Sequence, residues 1–78
     1  MKCVEINILF KNGVRENYIL KNEKLDYDGV EKTKDFIMNT MKNEAVGAIE
    51  LESLKSGFET LINISEIAEM QFGRVQEC

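Results

Sequence analysis

The sequence predicts an α+β domain: a mainly antiparallel five-stranded sheet carrying one helix, in the order β-β-α-β-β-β. Three observations lead there. Val4 to Leu20, VEINILFKNGVRENYIL, is a pair of apolar-alternating runs joined by Asn12-Gly13, a hairpin signal. A single stretch of helical periodicity follows, from about Asp28 to Asn43. Three more short alternating runs complete the chain, none of which requires a parallel crossover, so an antiparallel sheet with the helix on its apolar face is the economical arrangement. Residues 1–78 form one domain, large enough for one modest core.

The hairpin register follows from the side chains. A two-residue turn at Asn12-Gly13 would set Phe10 beside Arg15 and Val4 beside Lys21, mixing both faces. A three-residue loop, Lys11-Asn12-Gly13, with Gly13 left-handed in a bulge, pairs Phe10 with Val14, Ile6 with Tyr18 and Val4 with Leu20. Val4, Ile6, Ile8, Phe10, Val14, Tyr18 and Leu20 then share one face, and Glu16 is its only charge. A one-residue slip would reverse every side chain, so the bulged loop is expected. Leu9 and Ile19 fall on the polar face, as scattered surface apolar groups or as a contact site.

A polar connector, Lys21 to Leu25, leads to the helix. Two caps compete: Asp28 with Glu31 as a capping box, or Asp26 with Leu25 and Val30 stapling the start. Projection puts Tyr27, Val30, Thr33, Ile37, Met38 and Met41 on the packing side, with Lys34 inside that arc and expected to snorkel. The methionines read as core filler before they read as an adaptable binding surface.

Ala45 to Ser53 and Phe58 to Ile64 alternate as the next two strands, joined by Leu54-Lys55-Ser56-Gly57. Uniting their apolar faces sets Ser53 opposite Phe58 and Glu52 opposite Glu59, a like-charge pair tolerable on a wet face. Glu50, Glu52, Glu59 and Glu69 are therefore expected in solvent, and Ile49, Leu51, Phe58, Ile62, Met70 and Phe72 under the helix. Ser65-Glu66-Ile67 interrupts the alternation as a short turn, with 3₁₀ geometry one option. Ala68 to Phe72 makes the fifth strand, and Arg74 to Cys78 is expected to fray. A short turn between the last two strands also occurs in SH3-like and Sm-like barrels, so a small barrel with a helical insertion is the alternative fold.

Composition narrows function mainly by exclusion. Histidine is absent, and Cys3 and Cys78 lack C-x-x-C spacing, so a zinc site and the histidine-dependent triads lack required parts. With no secretion signal the two cysteines are expected as free thiols, and Asn63-Ile64-Ser65 as a chance match to a glycosylation acceptor. The glycines are dispersed, which leaves no phosphate loop. No apolar run approaches a membrane span, and the cytoplasm is the default location. Residues 1–43 carry eight basic and seven acidic groups, whereas residues 44–78 carry two and seven, so the net charge of −4 comes from the second half. That distribution argues against nucleic acid, which needs a basic stripe.

From Glu59 to Phe72, ETLINISEIAEMQF, together with the Asn12-Gly13 hairpin, the chain resembles small uncharacterised proteins of prophages and mobile elements in low-GC Gram-positive bacteria. The resemblance is one of layout. It implies a cytoplasmic, non-enzymatic accessory protein acting on a host or phage protein, and it transfers no functional residue.

The expectation is a protein-interaction module without catalytic residue, cofactor or metal. Its candidate contact residues are Glu50, Glu52, Glu59, Leu9 and Ile19. The alternative is a structural, self-associating unit, a homodimer being the simplest case.

Overall fold

A computed structural model describes all residues, Met1–Cys78. The elements run β1 (Lys2–Phe10), β2 (Arg15–Asn22), α1 (Tyr27–Lys42), β3 (Ala48–Ser53), β4 (Glu59–Asn63), a 3₁₀ turn (Ile64–Glu66), β5 (Ile67–Phe72) and a two-residue β6 (Gln76–Glu77). This is the expected α+β order, with a sixth short strand added. The sheet is ordered β4-β3-β2-β1-β5, and β6 also pairs with β1.

The first hairpin has the bulged-loop register. Val4 lies opposite Leu20 and Ile6 opposite Tyr18, and the Phe10 N–H donates to the Val14 carbonyl at 2.9 Å. Gly13 has φ +90°, and no atom lies within 4 Å of where a Cβ would stand. Its requirement is therefore conformational and not spatial. Gly13→Ala should cost about 1 kcal/mol in urea unfolding, and Gly13→Asn less, because asparagine tolerates the left-handed region. Equal stability of Gly13→Ala and the parent would contradict this loop.

Asp26 is the helix cap. Its carboxylate accepts from the Gly29 N–H at 2.7 Å, and Leu25 and Val30 are both buried in the core, which is the stapled arrangement. At the other end Glu44 is left-handed at φ 52°. The Ala45 N–H reaches the Thr40 carbonyl and the Glu44 N–H the Met41 carbonyl, the paired bonds of a Schellman ending. The chain then returns so tightly that a Cβ on Gly47 would stand 3.0 Å from Thr40 Cγ2.

β4 and β5 are the outermost strands of the main path, yet only the 3₁₀ turn separates them in sequence. Crossing a flat five-stranded sheet takes about 19 Å, whereas the steps from Asn63 to Ile67 reach at most about 14 Å. The sheet must therefore curl until its edges approach at that end. Bonds from Ile64 N–H to the Gly47 carbonyl and from Lys11 N–H to the Glu66 carbonyl fix the turn there. No ladder joins β4 to β5, so this is a curled open sheet, short of the closed barrel considered as the alternative.

Val4, Ile6, Ile8, Tyr18, Leu51, Ile62, Ile64 and Ile67 fill the concave side, and Leu25, Val30 and Ile37 cover it. Several sequence expectations fail at its margins. Phe58 is 74% exposed, because it precedes the outermost strand at a corner that the helix does not cover. Val14, at the hairpin tip, is also exposed. Ile49, Met70 and Phe72 are only partly buried against the core.

The helix is rotated from its projected orientation. Its buried residues are Val30, Ile37 and Thr40, while Tyr27, Met38 and Met41 are exposed. A curved sheet touches a straight helix along one narrow stripe, and the flanks stay in water. Lys34 does snorkel: its ammonium lies 3.3 Å from Glu31 and 5.2 Å from the centre of the Phe72 ring.

The C-terminal segment is not frayed. Lys2 pairs with Glu77 and Cys3 with Gln76, and Cys3 and Cys78 form a disulfide with Cα atoms 5.7 Å apart. This overturns the free-thiol expectation. β5 pairs with β1 only at Ile6–Phe10, so the beginning of β1 has an open edge that β6 occupies.

Tyr18 is buried and meets Phe10 edge-on, ring centres 6.5 Å apart. Desolvation pushes its pKa above the ordinary tyrosine value, and the Glu16 carboxylate pushes the same way. The unfolded chain therefore ionises this group first. Stability from this source is intact below about pH 10 and is lost as pH rises through the folded pKa. Urea midpoints should fall across that window, and Tyr18→Phe should flatten the fall; an unchanged slope in that variant would assign it elsewhere.

Candidate functional site

The convex face of the sheet carries no helix, and alternation places most polar residues of the main strands on it, Glu16 and Thr60 being exceptions on the concave side. Strand pairing brings the predicted carboxylates together. Glu52 lies directly opposite Glu59, and Glu50 opposite Leu61. With Ile19 and Lys21 these glutamates border a shallow dent of about 70 Å³. Glu50 and Glu59 are exposed, and Glu52 is half-buried.

Sequence reasoning missed the partner of this group. Lys21 reaches across from β2 and its ammonium lies 2.8 Å from Glu52. The β2–β3 pairing that sets Ile19 opposite Glu52 puts Lys21 within reach, and that non-local pairing leaves no trace in either strand alone. One of the facing carboxylates is thus neutralised, while Glu50 and Glu59 have no ion-pair partner. Glu59→Gln should stabilise the fold by a few tenths of a kcal/mol by removing repulsion, whereas Glu52→Gln should be neutral or destabilising because it also removes the Lys21 pair. Thermal melts of the two variants should diverge in sign, and the same shift in both would contradict this division.

Leu9 and Ile19 do not form a patch. Leu9 has Arg15 on one side and Glu69 on the other, and those two side chains meet over it at 2.7 Å. Arg15 also donates to Asn7 Oδ1, and Asn7 Nδ2 donates to Asn17 Oδ1 at 2.8 Å. A polar ladder thus crosses β2, β1 and β5. Ile19 is only 9% exposed, because β2 is interior and its neighbours, Glu5 and Glu52, flank it. It floors the acidic dent and offers little contact area.

The face has no enclosed cleft, and no three carboxylate or cysteine groups converge as a metal site. A second concavity, about 340 Å³, lies between α1 and β5 and is walled by Ile37, Met38, Met41, Met70 and Phe72, with Lys34 at its margin. Its exposed Met38 and Met41 contradict the core-filler reading of the helix methionines. No helix of the chain is long and apolar enough to cross a membrane.

No protein-family model, curated protein or solved structure matches the chain significantly.

Proposed function

We propose that this domain is a non-enzymatic protein-interaction module whose convex sheet face receives a basic segment of a partner, a host or phage protein being the class that the sequence layout suggests. The observation that carries the reading is the unpaired state of Glu50 and Glu59 at the edge of the acidic dent. Lysine or arginine side chains of an extended segment would place their charges on these two carboxylates. Such rim charges act chiefly on the rate of encounter.

The test measures association with lysine- and arginine-rich peptides by surface plasmon resonance. Glu50→Gln with Glu59→Gln should slow association severalfold, and about 0.5 M salt should do the same to the parent protein. Affinity indifferent to both changes would sink the reading.

The cytoplasm is the proposed location. The Cys3–Cys78 bond weighs against it, since cytosolic thiols are held reduced. Binding is therefore to be measured in both redox states.

A second reading, a self-associating unit, is favoured by the free outer edge of β4, which is the end of the sheet path.

A further inference from the structure

The outer edge of β4 can be read group by group. Ser53 N–H donates to the Phe58 carbonyl and Ile64 N–H to the Gly47 carbonyl. In an antiparallel ladder inward-facing residues alternate with outward-facing ones. Thr60 and Ile62 therefore direct their backbone groups toward β3, and Glu59, Leu61 and Asn63 direct theirs away from the sheet. On the other side of β3, Leu54 N–H donates to the Asn17 carbonyl, which fits the same alternation.

This edge is only lightly protected, by Glu59 at its start and by its five-residue length. β4, ETLIN, contains no proline, lysine or bulge, and Leu61 at its centre is 74% exposed. Sheets ordinarily blunt such edges. The opposite edge is blunted, because the β1–β5 register shifts at Leu9/Phe10.

We infer that β4 pairs antiparallel with β4 of a second copy about a two-fold axis through Leu61, which makes one continuous sheet from two domains. This rests on the self-associating reading and gives it a surface and a register. Leu61 faces Leu61 of the second copy, and Glu59 faces Asn63 of the second copy on either side. All three outward-directed residues then meet outward-directed partners, and each pair exchanges both of its hydrogen bonds.

The side chains agree with that register. Asn63 Oδ1 is occupied within its own chain by the Ser65 N–H and hydroxyl, at 3.1 and 2.9 Å. Its amide N–H groups have no partner and are free to donate to Glu59 of the second copy. A slip of two residues sets Leu61 beside Glu59 or Asn63 of the second copy and loses a hydrogen-bonded pair. A slip of four in one direction sets Glu59 against Glu59. Charge, apolar contact and backbone pairing therefore select one register. In it the two acidic dents lie on the same face, on either side of the paired leucines, and present a doubled acidic surface.

Light scattering after size exclusion, and sedimentation equilibrium from low micromolar concentration upward, test the proposal on the intact chain. The parent should dimerise. Leu61→Lys should be monomeric with an unchanged circular dichroism spectrum. Asn63→Asp keeps the cap on the 3₁₀ turn but sets a carboxylate against Glu59 of the second copy, and should weaken the dimer about tenfold. Adding Glu59→Lys to Asn63→Asp should restore it.

A dimer indifferent to these changes overturns the β4 register while leaving self-association standing. A monomer at every concentration overturns both. Peptide binding by the parent protein, diluted until it is monomeric, reports on the basic-partner reading separately.

Discussion

Ile6→Ala is expected to lower the unfolding free energy by about 2–5 kcal/mol. Ile6 lies on β1, the strand paired with β2, β5 and β6, and it is fully buried within the core cluster. Truncation removes its transfer free energy and leaves a cavity that a strand bonded on both sides cannot close. A domain of this size has about 4–12 kcal/mol in total, so the variant should sit near its unfolding threshold. Phe58→Ala provides the contrast. As an exposed corner residue it should cost under about 0.5 kcal/mol, whereas a buried phenylalanine would cost about 3–5 kcal/mol. Urea titrations followed by circular dichroism measure both, and a large loss at Phe58 would return it to the core.

Reduction of the Cys3–Cys78 bond should destabilise the oxidised protein by about 2–4 kcal/mol, because the bond closes nearly the whole chain into one loop and restricts the unfolded ensemble. The local consequence is specific. β6 has only two residues and is held by its short pairing to Lys2 and Cys3 and by this link. Amide exchange at residues 75–78 should therefore accelerate on reduction much more than exchange along β2. Cys78→Ser should reproduce the reduced midpoint and be insensitive to reductant. Equal midpoints for oxidised and reduced protein would contradict a stabilising bond.

Legibility followed the range of the interactions. The first hairpin was readable because its register depends on a loop and on alternation within residues 4–20, and only one pairing satisfies both. The β3–β4 hairpin was readable for the same reason, including the Glu52–Glu59 juxtaposition. The helix cap could be narrowed to two aspartates but not chosen from the sequence, since Leu25 and Val30 had to meet the core before the staple favoured Asp26. The candidate site was half legible. Parity put Glu50, Glu52 and Glu59 on one face, yet it could not show that Lys21 neutralises Glu52 or that Arg15 and Glu69 close over Leu9.

What the sequence by itself determined is the helix and the five main strands, their order, the register of both hairpins and the exposed placement of Glu50, Glu59 and Glu69. These depend on alternation, turn chemistry and helical period, which act between residues close in the chain. Only the tertiary structure decided the curl of the sheet, the rotation of α1 that leaves Met38 in water, the exposure of Phe58, the pinning of Cys78 to Cys3 and the free edge of β4. Each of these depends on which strand lies beside which, and on how far one short helix extends over a curved surface. Those contacts join residues tens of positions apart, and local periodicity carries no record of them.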